Sequence, residues 1–480
     1  MKKKAFTYFF REEKILSFLH LPLLLLFFIL YSWKQSLYFF SLPEAFLFWL
    51  AGTIGFLLLV LALNLLIFNN LAKASASVSF AGIVFLHYST LYKFISENPT
   101  VSEMGRHRFL VPLFLILWGI GMYYLHFHQK EPRRLTRYLN LLFLILVTGE
   151  IFQVIVGYGQ WYEGWKELKE KYVNAPALAV SAKRDSFPDI VHIIVDAHTS
   201  FESLEKFWDY SPSLREFFRQ NNFYIAEKAR SNYDHTGQSI SSLFAGDSIP
   251  LLHTMNVESH LSNATVLELI SHGKIPRSLM KQGYQIINYS FFDLPGAPRS
   301  RQNPFISHPV RTGKFLWSKT LGGKLQSDFF QKPTFQSDQE TVELLKNISF
   351  SDYDSPVFVY AHLVIPHAPY FFDEKGKNFP DGHPPGKEDH EAYRDQLIYT
   401  DQKLTEIVTA LLRDPTRQPV IIIQGDHGSR ILPDPEENPT ERFTILNAFY
   451  FPDGDYTLLD DSLTTRETYP VVWEKYFTNP

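Results

Sequence analysis

The sequence predicts an α/β fold, a mainly parallel sheet sandwiched by helices, preceded by an all-α region of five transmembrane helices. Three observations support this prediction. Five long apolar segments fill the first third of the chain. Beyond them, short β-branched runs alternate with helical segments, which is typical of a parallel sheet covered by helices. Two of those runs end abruptly in an acidic residue, Asp196 and Asp426.

The composition excludes several classes of function. The chain has 480 residues, 46 of them basic and 50 acidic, and its net charge of -4 gives no reason to expect a nucleic-acid partner. It contains no cysteine, which rules out disulfides, thiolate metal sites and a cysteine nucleophile. Nothing in the sequence indicates the oligomeric state.

Residues 1–157 form the predicted transmembrane domain. Its apolar segments lie at 15–32, 45–67, 74–95, 108–126 and 139–157. Each approaches the ~20 residues that a helix needs to cross hydrocarbon. A cleaved signal peptide would give one such segment, and the run 23–30 is too apolar on all sides for a soluble bundle. Glu150, inside the fifth segment, is either functional or bonded to a neighbouring helix.

The distribution of Lys and Arg predicts that the amino terminus is cytoplasmic. The cytoplasmic side then carries five basic residues in 1–14, Lys73 and four in 130–137, ten in all, against four on the other side. With five spans, everything after about residue 158 lies outside the cytoplasm. We therefore expect a multi-pass protein of the cell membrane with an extracytoplasmic, periplasmic or extracellular, domain.

Residues 158–187 are predicted to be a charged amphipathic connector, and residues 188–480 the extracytoplasmic domain. Strands are predicted at 189–195, 284–289, 356–362 and 419–424. Helices are predicted at 201–208, 213–221, 238–245, 275–282, 337–347 and 391–412.

Two strand ends and one loop carry candidate metal ligands and a catalytic side chain. The first strand delivers Asp196 at its carboxyl end, where ligands collect in open α/β sheets, although a helix cap is the alternative. The fourth strand ends in Asp426-His427, whose oxygen and nitrogen suit zinc or manganese rather than calcium. His367, between two prolines after the third strand, could bind a substrate phosphate or protonate a leaving group. His362, within that strand, fits a hydrogen-bonded core residue or a substrate contact.

Thr236 is a candidate nucleophile. It follows Ser231-Asn232-Tyr233 and opens a helix of small residues, where its ordinary role would be that of a cap. The same position places its hydroxyl among free backbone N–H groups at the positive end of the helix, which is an anion site. Together, Asp196, Thr236 and the Asp426-His427 pair predict a site for one divalent cation.

These motifs, taken in order, resemble those of the alkaline phosphatase superfamily, in its sulfatase-like branch. The layout is similar to that of lipoteichoic acid synthases and phosphoethanolamine transferases, which also join five membrane helices to an extracytoplasmic catalytic domain. The resemblance implies an alkaline-phosphatase-like sheet and Thr236 as nucleophile in a Ser-Asn-Tyr-x-x-Thr setting. It also implies Asp196 as the first metal ligand and His367, in Pro-His-Ala-Pro, on the substrate side. The closing metal pair would be Asp426 and His427.

Several features depart from that family pattern or remain open. The named transferases carry Glu where this chain has Asp196, and sulfatases carry a second Asp where Ala197 stands. Ser307 begins a Ser-x-Pro-x-Arg motif of the type that sulfatases convert to formylglycine, but it opens no predicted helix. Asp401 is available for a second metal, yet no Asp-x-x-x-His lies near it. Arg299 and Arg301 either clamp a phosphate or lie in a solvated loop.

The sequence thus predicts a membrane-anchored, metal-dependent phosphoryl-group transferase or hydrolase. Thr236 would attack a phosphodiester, and the membrane domain favours a membrane lipid or a lipid-linked envelope polymer as substrate. A sulfatase is the enzymatic alternative. A catalytically inactive membrane-bound binding protein is the other, although an inactive descendant would be free to lose its ligands.

Overall fold

The computed structural model describes residues 16–34, 41–96, 107–181, 187–250, 252, 260–301, 312–330, 334–380, 382–432 and 438–478. The chain forms two compact units. The helical unit comprises Met1–Gly164 with His308–Gln331, and the sheet unit comprises Trp165–Ser307 with Lys332–Pro480.

The helical unit contains the apolar helices. They are α1 His20–Lys34, α2 Leu42–Leu63, α3 Leu71–Ser96, α4 His107–Phe127 and α5 Pro132–Leu168. Short π-helical turns extend α2 to Phe68 and α5 to Val173. Among the described residues, four helices are long and apolar enough to cross a membrane, namely α2 to α5 with these extensions. Helix α1, the first of the five predicted segments, is apolar but has 15 described residues. The protein is therefore a membrane protein.

The sheet unit contains six described strands. They are β1 Ile190–Val195, β2 Tyr224–Ile225, β3 Gln285–Tyr289, β4 Val357–Leu363, β5 Val420–Gly425 and β6 Asn447–Tyr450. The sheet has the order β2-β6-β5-β1-β4-β3. Strands β3, β4, β1 and β5 run parallel, while β6 and β2 extend the sheet antiparallel. This confirms the predicted fold class, and the four predicted strands are present within one residue at each end.

Ten further helices follow β1 in the chain's described part. They are α6 Phe201–Trp208, α7 Ser213–Gln220, α8 Thr236–Ala245, α9 His260–Ser271, α10 Lys274–Lys281, α11 Thr312–Lys319, α12 Leu321–Phe330, α13 Thr334–Lys346, α14 Asp389–Leu411 and α15 Thr468–Phe477. Helices α11 and α12 belong to the helical unit. The sequence did not predict α9, α11, α12 or α15.

Strand β1 is the centre of the core. All six of its residues are buried, because apolar side chains cover the sheet on both faces. Val191, Ile193 and Val195 pack into one hydrophobic cluster, and Ile190 and Ile194 pack into another on the opposite face. A strand buried on both sides reads as the continuous apolar run that the sequence shows.

Candidate metal centre and active site

The site begins where the three central strands end. The register pairs Val195, the last residue of β1, with Leu363 of β4 and with Gly425 of β5. The residues that follow β1 and β5, Asp196 and Asp426, therefore emerge side by side at the carboxyl edge of the sheet.

Five of the predicted site residues converge at this edge. Nε2 of His427 lies 3.4 Å from Oδ1 of Asp196 and 3.8 Å from Oδ2 of Asp426. Nε2 of His362 lies 3.7 Å from Oδ2 of Asp196. One nitrogen or oxygen atom each of Asp196, His367 and His427 lie within 4.8 Å of one another, and so do those of Asp196, His362 and Asp426. We call these five residues the Asp-His cluster.

The atoms of the Asp-His cluster fit a divalent cation. Oδ1 of Asp196, Oδ2 of Asp426 and Nε2 of His362 are buried and have no hydrogen-bond partner within the described part of the chain. Burying a carboxylate without compensation is costly, so buried charges are normally paired or bind metals. Carboxylate oxygen and imidazole nitrogen together suit zinc or manganese.

Backbone groups aim the ligand atoms of the Asp426-His427 pair. Oδ1 of Asp426 accepts hydrogen bonds from the backbone N–H groups of Ala197, at 3.0 Å, and His427, at 2.9 Å. Nδ1 of His427 donates to the carbonyl of Gly428 at 2.8 Å, which leaves the lone pair of a neutral ring on Nε2. Ala197 holds a φ of 60°, an unusual value for alanine.

The electrostatic environment of the Asp-His cluster favours the protonation states in which carboxylates and imidazoles bind metals. Burial raises the pKa of the Asp196 carboxyl, but the imidazoles of His367, His362 and His427 outweigh burial and hold that pKa well below its usual range. Burial lowers the pKa of His427, which favours the neutral ring that binds metals.

Thr236 is joined to the Asp-His cluster through its own loop. It is half-buried and is the first residue of α8, whose first-turn N–H groups have no partner within the helix. Arg430 donates from Nη2 to Nε2 of His427 at 3.2 Å and from Nε to the carbonyl of Asp234 at 3.0 Å. The loop that leads into Thr236 is thus hydrogen-bonded, through one guanidinium group, to a cluster residue.

The sulfatase family model matches residues 188–466, more than half of the chain, and includes every residue of the Asp-His cluster and Thr236. The chain belongs to the sulfatase family. It is accordingly a sulfatase-like member of the alkaline phosphatase superfamily with an apolar helical region, as the sequence motifs predicted. The family assigns it to the sulfatase-type hydrolases and transferases, whose members use a divalent metal.

Solved structures similar to this sulfatase-family chain are distant. The integral membrane lipooligosaccharide phosphoethanolamine transferase A of Neisseria meningitidis shares 14% identity, with 95% of this chain and 94% of that chain covered and a TM-score of 0.40. The periplasmic domain of phosphoethanolamine transferase C of Escherichia coli shares 13% identity, with 63% and 86% covered and a TM-score of 0.38. A Bacteroides thetaiotaomicron protein of glycosaminoglycan metabolism shares 18%, with 60% and 72% covered and a TM-score of 0.39. No curated protein matches the sequence.

The Ser-Asn-Tyr sequence before Thr236 is a structural frame in this sulfatase-family chain. The hydroxyls of Ser231 and Ser239 both donate to the carbonyl of Tyr233, at 2.6 and 3.1 Å. The buried Tyr233 hydroxyl donates to the carbonyl of Ile249 at 2.8 Å and accepts from its N–H at 3.0 Å. These bonds fix the turn that presents Thr236 at the start of α8.

The two candidate arginines have different surroundings. Arg299 pairs with Asp293 at 2.7 Å in a partly exposed loop. The Arg301 side chain is 7% exposed and pairs with Asp338 at 2.7 Å, while its Nε and Nη2 have no hydrogen-bond partner among the described residues. Asp338 also accepts the backbone N–H of Val364 at 3.0 Å, at the start of the turn that leads to His367.

Sequence reasoning missed two residues near the site. His198, buried two residues after Asp196, contacts Asp401 at 2.9 Å between Nε2 and Oδ1, and the Tyr210 hydroxyl donates to the same carboxylate at 3.2 Å. Asp401, which the sequence left available for a second metal, therefore forms a buried pair with His198. Arg430 was also missed, although it stands three residues after His427. The Ser307 motif lies outside the described residues.

Substituting Gly425 tests the packing that positions the closing ligand pair. A Cβ atom on Gly425 would lie 2.4 Å from the carbonyl oxygen of His198, so Gly425→Ala must displace backbone beside Asp426. We expect metal affinity to fall about 10–100-fold, as when groups that support metal ligands are changed. The buried Ile423 of the same strand offers a control, since Ile423→Val should cost only about 0.5–1.5 kcal/mol of stability and retain the metal.

The measurements are metal content by mass spectrometry and thermal unfolding of the full chain in detergent. A Gly425→Ala protein with undiminished metal content would show that this close contact does not support the site.

Proposed function

We propose that the chain is a membrane-anchored, metal-dependent phosphoryl-group transferase or hydrolase that attacks a phosphodiester with Thr236. The main support is one observation. Buried oxygens of Asp196 and Asp426 that have no hydrogen-bond partner among the described residues converge with His427, and Arg430, three residues after His427, donates to the carbonyl of Asp234 in the loop that carries Thr236. A cluster of carboxylates and imidazoles, together with a hydroxyl at a helix start, can serve nucleophilic attack on an anionic group.

The proposed ligands are Asp196, Asp426, His427 and the Thr236 oxygen, around one divalent cation. When bound, the cation supplies Lewis-acid stabilisation of the charge that develops during transfer. Thr236 gives up its hydroxyl proton to solvent, and its oxygen forms a bond to phosphorus as the bond to the leaving group breaks. Water, or an acceptor hydroxyl from a sugar or lipid, then attacks phosphorus; the bond to the Thr236 oxygen breaks, and that oxygen regains a proton as the attacking group loses one. The N–H groups that open α8 stabilise the equatorial oxygens.

His367 and Arg301 are the proposed substrate-side residues. Nδ1 of His367 donates to the carbonyl of Ala368 at 2.6 Å, which fixes the ring so that Nε2 can give a proton to the leaving oxygen. The buried Nε and Nη2 of Arg301 are donors suited to anionic oxygen. His362 would contact the substrate or complete the ligand set, since its Nε2 faces Asp196. Arg299 is better explained by its pair with Asp293.

A lipid-linked substrate is proposed because enzyme and substrate would share a surface. Four helices able to cross a membrane precede the sulfatase-like domain. The charge distribution of the loops supports an extracytoplasmic position for that domain. A membrane lipid head group or a lipid-linked envelope polymer would lie both at the membrane surface and outside the cytoplasm.

The sulfatase alternative has one observation in its favour, the match of the family model. It would require Ser307, modified to formylglycine, to replace Thr236 as the nucleophile. The intact Asp-His cluster favours either enzyme over an inactive binding protein, because uncompensated buried charge is costly unless a cation is bound.

Thr236 variants test the nucleophile. Thr236→Ala should abolish turnover and leave the fold and the metal in place, since three ligands remain and no helix cap is lost: the N-cap position of α8 belongs to His235, not to Thr236 as a cap reading of the sequence would require. Thr236→Ser should retain part of the activity because its hydroxyl survives. Mass spectrometry of the purified chain incubated with membrane lipids should show a mass increase on Thr236. The control is Ser307→Ala, which should behave as wild type. Loss of activity in Ser307→Ala with normal activity in Thr236→Ala would identify a sulfatase.

His367 variants separate proton transfer from metal binding. His367→Ala should lower the rate about 10²–10⁴-fold, the range for a general acid–base group. The covalent adduct on Thr236 and the metal content should both persist. Because the His367 ring lies within reach of Asp196 and His427, loss of metal in this variant would instead make His367 a ligand.

Reporter fusions test the orientation. A reporter that is active only outside the cytoplasm should be active when fused after Pro480 and inactive when fused near Arg134. The reason is that ten Lys and Arg residues on one side of the predicted spans, against four on the other, predict a cytoplasmic amino terminus. The reverse result would invert the topology and remove the reason for an extracytoplasmic lipid substrate.

A further inference from the structure

A helical hairpin, α11 and α12, lies in sequence between β3 and α13 but belongs to the helical unit. The chain therefore leaves the sheet unit after Arg301, contributes residues 312–330 to the helical unit, and is back in the sheet unit by Thr334. The contacts of α11 and α12 with the apolar helices explain why this segment belongs to the helical unit.

Three polar contacts place the hairpin at one end of the bundle. The Thr312 hydroxyl oxygen accepts from the N–H of Ser41 at 2.6 Å, Lys324 lies 4.6 Å from the ring centroid of Tyr92, and Asp328 contacts His107 at 2.7 Å. Ser41 precedes the first residue of α2, Tyr92 is near the end of α3, and His107 opens α4. Since consecutive spans run in opposite directions, these three positions lie at the same face of the membrane.

The inner side of the hairpin is a fitted part of the helical unit. Phe315 and Leu316 are buried in one hydrophobic cluster with Leu24 and Leu86. A Cβ on Gly323 would lie 2.0 Å from the carbonyl oxygen of Trp317, so the tight turn between α11 and α12 depends on glycine.

The outer side of the hairpin has the composition of a membrane interface. Phe329 is 68% exposed and Trp317 is 42% exposed, and both lie at the end of the bundle rather than along its middle. Lys314, on α11, is exposed as well. Aromatic and basic side chains are enriched where helices leave the hydrocarbon, because rings occupy the head-group boundary and ammonium groups approach lipid phosphates. Leu42 at the start of α2 and Phe109 near the start of α4 are exposed apolar residues as well.

We propose that the hairpin Thr312–Phe330 is an interfacial membrane anchor whose partner is the lipid surface. Its inner side packs on α2, α3 and α4, while Trp317 and Phe329 enter the boundary between head groups and acyl chains. The domain that carries the Asp-His cluster would then be attached to the bilayer at the hairpin as well as through α5. This proposal does not depend on the identity of the substrate.

Depth-dependent quenching tests the anchor. The chain has no cysteine, so a single introduced cysteine takes a fluorescent label at one site. The full chain, labelled at Phe329→Cys or at Trp317→Cys, is reconstituted in phosphatidylcholine–phosphatidylglycerol vesicles brominated either near the head group or deep in the acyl chain. Both labels should lose most of their fluorescence to shallow bromine and less to deep bromine.

Two matched positions calibrate the result. Leu58, 62% exposed within α2, should be quenched most by deep bromine as Leu58→Cys, and Leu344, 47% exposed on α13, should not be quenched as Leu344→Cys. Unquenched labels at 317 and 329 would place the hairpin in water, and preferential quenching by deep bromine would place it in the hydrocarbon. Either result overturns the proposal.

Discussion

The gathering of buried carboxylates and imidazoles at one sheet edge is the constraint on which the sulfatase-like domain depends. Asp196 and Asp426 carry like charges, and each has a buried oxygen without a hydrogen-bond donor among the described residues. Such an arrangement destabilises a folded chain unless a cation or a proton compensates it. The surrounding backbone contacts are explained by the need to hold these groups in place despite that cost.

The sheet register and the turn after β1 meet that need together. The parallel pairing of β1 with β4 and β5 brings the residues of the Asp-His cluster to the same edge of the sheet, and the N–H of Ala197 then ties the end of β1 to the carboxylate that follows β5. The absence of side chains at Gly425 and Gly428 allows backbone carbonyls to approach closely. Only one oxygen of Asp426 is used by the backbone, which leaves the other for a metal. The hydrogen bonds that fix the position of the Asp426 carboxylate thus also determine which of its oxygens is left for a metal.

Local sequence patterns could predict the central strands and the residues at their ends. Asp196 and Asp426 follow continuous apolar runs, and a strand buried on both faces has this pattern whatever surrounds it. Strands β2 and β6 could not be predicted in this way, because they have two and four residues and depend on pairing at the sheet edge. Arg430 and the His198–Asp401 pair were not apparent either. Their roles come from contacts between residues far apart in the chain, with 203 positions separating His198 from Asp401.

The hairpin shows the same limit on a larger scale. The sequence analysis placed residues 312–330 within the extracytoplasmic domain 188–480 and predicted no helix there. Their contacts with Ser41, Tyr92 and His107 assign them to the helical unit. The paired residues lie 271 positions apart for Ser41 and Thr312 and 221 positions apart for His107 and Asp328, so a local sequence pattern cannot reveal these contacts. Only the folded chain brings the two members of each pair together, as it does for His198 and Asp401.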